Sequence, residues 1–189
     1  MVAAAGHIHL SEASRWVVRW APCIAAGGTV LDVACGSGRH ARHLADLGFL
    51  VEAVDRDAVA LAGLQGLRAI DTVAADLEAG PWPFGGRQFD AIVVTNYLHR
   101  PLFPLLIAAL APGGLLIYET FRQGNESYGK PSNPAFLLAP HELLAVARDG
   151  MLQVVAFEDG FSAVPKPAMV QRLCAQKPPL RVPEEVRLE

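Results

Sequence analysis

Between residues 29 and 119, short runs of branched apolar residues alternate with segments of helical spacing, and most runs close on a glycine or an acid. Runs of this kind are buried on both faces, which a chain achieves by laying them side by side in a parallel sheet with helices packed above and below. Thr29-Val30-Leu31-Asp32-Val33-Ala34 is the first, followed by a glycine-rich turn and a helix over 39–47 that Gly48 ends. Strands follow over 49–55, 70–75 and 89–94, with a helix over 58–67 and a Gly/Pro loop over 80–86 between them. A helix from Pro101 to about Ala111, a Pro112-Gly113-Gly114 turn and a strand over 115–119 repeat the unit.

The flanks complete the expectation. A helix is predicted over 11–21, where Trp16, Val17 and Trp20 recur at helical spacing and Pro22 lies just beyond. Residues 123–134 read as a polar loop outside the carboxyl ends of the strands. Pro140-His141-Glu142-Leu143 starts another helix with Pro in its first turn. Strands over 152–158 and 169–175, joined through Asp159-Gly160 and Pro165-Lys166-Pro167, form a terminal antiparallel pair. The expected architecture is one α/β domain over 1–189, a doubly wound, mostly parallel sheet of seven strands. It has a helical cap over 1–28, a core over 29–177 and a polar tail over 178–189.

Composition narrows the partners. A hydrophobic fraction of 52% with 19% charged residues suits a buried sheet. The net charge of −3, and the shortness of the densest basic stretch, Arg39-His40-Ala41-Arg42-His43, disfavour a nucleic-acid partner. Cys23, Cys35 and Cys174 are too scattered for a disulfide framework or a Cys-x-x-Cys zinc site. His7 with His9, and His40 with His43, lack further ligands, so surface histidines and no metal are expected. The first residues lack a signal peptide's basic and apolar regions, and prolines and glycines break the apolar stretch 102–118. A cytoplasmic protein without membrane contact is expected; its oligomeric state stays open.

The chemistry concentrates at the strand ends. The loop Ala34-Cys35-Gly36-Ser37-Gly38 lets backbone amides approach a ligand at the positive end of the next helix. Asp32, inside an apolar strand, calls for a partner, either the cationic amino group of a ligand or backbone amides. Asp55 ends the second strand, where α/β nucleotide sites place an acid for ribose hydroxyls; a helix cap is the alternative. Asp76, after the third strand, is placed to accept from an exocyclic amine while Leu77 covers an aromatic ring, or is a solvated loop acid.

Val30 to Gly38, Asp55 and Ala75-Asp76-Leu77 resemble the first three cofactor motifs of the class I S-adenosylmethionine-dependent methyltransferases, with a Rossmann-like fold. Cys35-Gly36-Ser37-Gly38-Arg39 is similar to their small-molecule, tellurite-resistance-like branch. The resemblance implies S-adenosylmethionine as cofactor, with Asp32 and the loop Ala34, Cys35, Gly36, Ser37 and Gly38 at its methionine part. It implies Asp55 at ribose, Asp76 and Leu77 at adenine, and Arg56 across the adenine face.

The fourth strand ends in Asn96-Tyr97-Leu98-His99, where this family faces its acceptor. Asn96 joins the cofactor set, and Tyr97 and His99 are the candidates to orient the acceptor or take its proton, against a packed Tyr and a helix-capping His. Arg15 and Glu119 are weaker candidates. Without the Pro-Pro of base-methylating relatives, a small-molecule acceptor is expected, walled by Trp16, Tyr97 and Phe121 under a lid formed by the N-terminal helix and residues 123–134. Two other readings stay open: an NAD- or FAD-linked oxidoreductase, since Gly36-x-Gly38-x-x-Ala41 fits a dinucleotide fingerprint, and a non-catalytic binding module.

Overall fold

The computed structural model describes residues 12–180. Among the described residues, seven strands form one sheet in the order β3-β2-β1-β4-β5-β7-β6. They are β1 (Thr29–Val33), β2 (Leu50–Asp55), β3 (Ile70–Ala74), β4 (Phe89–Thr95), β5 (Leu110–Phe121), β6 (Gln153–Ser162) and β7 (Ala168–Gln176). The first five are parallel, while β7 pairs antiparallel with both β5 and β6. Helices α1 (Arg15–Trp20), α2 (Arg39–Asp46), α3 (Ala58–Ala62), α4 (Phe103–Ala108) and α5 (Glu142–Asp149) complete the fold.

Alternation along the strands divides the core in two. Leu31, Val33, Val54, Ile92 and Val94 belong to one apolar cluster; Val30, Val51, Ala53, Ala91 and Val93 belong to the other. The chain winds one way from β1 to β3 and the other way from β4 to β5, so β1 and β4 lie side by side at the point of reversal. In open α/β sheets that crevice, at the carboxyl ends, is where ligands sit. Both strands turn sharply there: Ala34 and Asn96, the residues just past β1 and β4, have φ of 52° and 54°.

Several boundaries differ from expectation. Helix α1 starts at Arg15 because Ser14 caps it, its side chain accepting from the Trp16 amide; Ser11 lies outside the described residues, as do His7 and His9. Helix α3 stops at Ala62, short of Leu67, because Gly63 and Gly66 follow, the latter at φ +75°, and a glycine interior disfavours helix. Pro112-Gly113-Gly114 is no turn ahead of β5 but lies within it: Leu110 pairs with Phe89 and Leu115 with Ala91, so the intervening residues bulge from the ladder. Asp159-Gly160 likewise lies inside β6 rather than in the connection. Pro140 sits outside α5, which His141 precedes at φ +58°.

Two glycines of the β1–α2 turn differ in what surrounds them. At Gly38, φ is +77° and an added Cβ would collide with the Leu64 side chain; at Gly36, φ is +55° and nothing lies within 4 Å. Gly38→Ala is therefore expected to destabilise the fold by about 2–4 kcal/mol, left-handed strain plus overpacking. Gly36→Ala should cost only the strain, about 1–2 kcal/mol. Urea denaturation of both variants checks this, and equal losses would contradict it.

Candidate active site

Strands β1 to β4 each deliver a polar residue to the same end of the sheet. Asp32, one residue before the end of β1, is 1% exposed, and neither of its carboxylate oxygens has a hydrogen-bond partner among the described residues. Burial pushes its pKa up to about 7, an effect that the nearby Ala41 amide and the Arg39 charge only partly offset and that Asp55 reinforces. The amide lies close without reaching hydrogen-bonding geometry. Asp32 is thus a buried acid whose charged form has no partner among the described residues, two residues ahead of a loop in which nothing lies within 4 Å of a Cβ added at Gly36.

Asp55 is not the cap of α3. That role falls to Asp57, whose carboxylate accepts from the Val59 and Ala60 amides. Asp55 accepts from the Gly36 amide at 2.8 Å and from the Asp57 amide at 2.9 Å, and so pins the glycine loop to the end of β2. Asp76 is exposed and accepts from the Glu78 and Ala79 amides, which lower its pKa. Leu77 is buried in the core. Arg56 and His99 both bear electrostatically on Asp76. Cys35 is buried, and burial raises its thiol pKa, so it is an inert member of the loop.

A pocket of about 250 Å³ opens beside the end of β4. Asn96, Tyr97 and Leu98 come from that strand end, Thr120 and Phe121 from β5, Glu78 from the β3–β4 loop, and Pro131 and Phe136 from the loop beyond β5. Burial and the nearby Glu78 charge raise the Tyr97 pKa, so its hydroxyl stays protonated and is no proton acceptor near neutrality. His99 is outside this lining, and no side-chain cap bond forms at the turn it precedes. The loop roof is firmly held. Gln123 and Leu138 close its base through backbone bonds, and buried Asn125 joins Pro131 to the Met169 amide. Arg100 donates to the Ala135 and Leu137 carbonyls and to Glu142.

Other expectations are corrected. Trp16 does not wall the pocket: it is 4% exposed, packs edge-on against Trp20 and donates its indole N–H to the Leu173 carbonyl. Arg15 lies elsewhere too, in a groove of about 640 Å³ with Arg19, Arg39 and Arg42, alongside Glu12 and Asp46. The fold thus assembles a basic surface that no single stretch of sequence displays. His40 is buried rather than on the surface. Its Nε2 accepts from the Ser14 amide, so the proton sits on Nδ1 and faces Thr95 Oγ1 at 3.3 Å; burial and the Arg39 charge hold its pKa down to about 3. Ser14 Oγ donates to Glu119, which also pairs with Arg172. Ser14, His40, Thr95 and Glu119 thereby fasten α1 to the ends of β4 and β5. The signal for His40 was present: helical spacing places it with Ala41 and Leu44 on the buried face of α2. Glu78, in a polar loop, carried none.

Because the folded state retains the Asp32 proton to about pH 7 while the unfolded chain releases it near pH 4, ionising Asp32 costs the fold stability as pH rises between those values. Asp32→Asn removes the cost. Its melting temperature should exceed that of the parent by several degrees at alkaline pH, the gain shrinking as pH falls toward 4. Calorimetric melting across that range measures it, and a lower melting temperature at alkaline pH would contradict it.

Residues 30–114 match a family model described as a methyltransferase domain. No curated protein matches the chain. Among solved structures, TehB from Haemophilus influenzae superposes with a TM-score of 0.71 at 21% identity, covering 85% of this chain. This chain spans 61% of the TehB chain. An S-adenosylmethionine-dependent methyltransferase from Mesorhizobium loti gives 0.68 at 17% identity, over 89% of this chain and all of that one. The N-methyltransferase NodS from Bradyrhizobium japonicum gives 0.66 at 19%, over 86% and 92%. At these identities the likeness is one of fold. The match to the methyltransferase-domain model covers residues 30–114, under half of the chain, and the solved neighbours share its fold of a mostly parallel sheet with an antiparallel carboxy-terminal pair.

Proposed function

We propose that the chain transfers the methyl group of S-adenosylmethionine to a small molecule by direct displacement at the sulfonium methyl. The observation that carries this reading is Asp32, a buried carboxyl group without a hydrogen-bond partner among the described residues, on the strand that leads into the glycine loop, where nothing lies within 4 Å of a Cβ added at Gly36. A cationic amino group fits that need. Asp32 and the loop from Ala34 to Gly38 would hold the methionine part, Asp55 the ribose, and Asp76, Leu77 and Arg56 the adenine, with Asn96 at the mouth of the acceptor pocket. The antiparallel β5-β7-β6 edge and the family match favour this cofactor over a dinucleotide.

The sulfonium supplies an electrophilic methyl carbon, so the protein's task is alignment and exclusion of water, and orientation can contribute about 7–11 kcal/mol. Tyr97, with the Glu78 carboxylate close by, would orient the acceptor; His99, which bears electrostatically on Asp76, is better placed for the cofactor end. A small acceptor suits a pocket of about 250 Å³ roofed by a strapped loop. The arginine groove favours a second reading, in which a polyanion such as RNA docks between α1 and α2 and presents the acceptor.

Two experiments check the proposal. Titration calorimetry should show S-adenosylhomocysteine binding and none for NAD or FAD. Asp55→Ala should weaken that binding by about 1.5–3 kcal/mol and, because Asp55 pins Gly36, should also lower the melting temperature. Unchanged affinity in the folded variant would remove Asp55 from the site. A screen for S-adenosylhomocysteine release across thiols, amines, carboxylates, phenols and metalloid oxyanions, with transfer RNA and protein extracts alongside, should find turnover on a small molecule. Turnover on transfer RNA alone would establish the second reading instead.

A further inference from the structure

The acceptor pocket has an electrostatic sign. Its apolar walls are Tyr97, Leu98, Phe121 and Phe136, and its polar groups are the Glu78 carboxylate, Asn96 and Thr120, the last only 1% exposed. No Lys, Arg or His lines it among the described residues. Arg56 bears on Tyr97 and Asp76 from outside the lining, and the Asp76 charge bears on Tyr97 as well. An oxyanion or carboxylate entering here would lose its water against a carboxylate and aromatic faces, with no cation to replace the lost hydration. An amine meets the opposite situation. Its cationic form is attracted by Glu78 and by the faces of aromatic rings, and its N–H groups find the acceptor oxygens of Glu78, Asn96 and Thr120.

We infer that the methyl acceptor is a small amine, held through its nitrogen by Glu78 and with its hydrocarbon part against Tyr97, Phe121 and Phe136. This rests on the proposed methyl transfer and names its substrate class. The pocket, at about 250 Å³, falls below the ~300–1,000 Å³ of drug-sized ligand sites, which sets the acceptor's size. The step balances without a further reagent. The ammonium form gives up one proton to water by way of the Glu78 carboxylate, and the freed nitrogen lone pair attacks the sulfonium methyl. A C–N bond forms as the S–C bond breaks, and the bonding pair stays on sulfur as a neutral thioether. The positive charge passes from sulfur to the methylated nitrogen, where Glu78 faces it. The Glu78 carboxylate lies close enough to Tyr97 to raise the pKa of its hydroxyl, which stays protonated.

The test uses the full chain saturated with S-adenosylhomocysteine, titrated with benzylamine and with benzoate, two probes of one shape and opposite charge, and followed by ligand-observed magnetic resonance. Benzylamine should bind at least tenfold more tightly than benzoate, and Glu78→Gln should reduce the ratio to near one. The exposed position of Glu78 lets that variant fold, which its melting curve checks. Equal binding of the two probes, tighter binding of benzoate, or a preference that survives in Glu78→Gln would overturn the inference. Calorimetry with S-adenosylhomocysteine alone separates the two levels: failure to bind it defeats the methyl-transfer reading, whereas normal binding with an inverted probe preference defeats only the amine.

Discussion

A carboxylate buried in a parallel sheet is the constraint around which this end of the molecule is arranged. Asp32 sits between Ala53 of β2 and Val93 of β4, with neither oxygen hydrogen-bonded among the described residues. An apolar residue there would pack without cost. The acid instead holds a proton up to about pH 7 and destabilises the fold when it ionises. Local rules broken in this way mark functional positions, and the strand that carries Asp32 runs straight into the glycine turn.

The surrounding polar contacts keep that access open. Asp55 holds the Gly36 amide, Asp57 rather than Asp55 caps α3, and the Asp76 carboxylate shapes the turn that brings Glu78 to Tyr97. On the other side of the reversal point, His40, Ser14, Thr95 and Glu119 bolt the start of α1 to the ends of β4 and β5. Arg100 and Asn125 strap the loop that roofs the pocket. The glycine loop and the pocket are therefore carried on well-anchored strand ends, which suits a site built to hold its ligands in fixed geometry.

Much of this was legible in the sequence because it is written in local signals. Branched apolar runs marked the five parallel strands, and their ends put Asp32, Asp55 and Asp76 at one end of the sheet, as the structure does. What was not legible depends on tertiary packing. Leu64 and Leu67 continue the apolar spacing of α3, but Gly63 and Gly66 end it. Trp16 looks like a pocket wall by its position near the amino terminus, yet its indole belongs to the core. His40 reads as a surface residue among arginines until the buried face of α2 is counted. The groove of Arg15, Arg19, Arg39 and Arg42 exists only once α1 lies against α2. Glu78 gains meaning only from Tyr97, which is brought to it by the sheet.

The central claim is that Asp32 is neutral in the empty site and becomes charged when a cationic group docks on it. Proton exchange on binding tests this most directly: calorimetry of S-adenosylmethionine binding in buffers of differing ionisation enthalpy, at about pH 6, counts the protons released. The account predicts a release close to one proton per site, abolished in Asp32→Asn. Binding without proton release, or a release that persists in that variant, would contradict it.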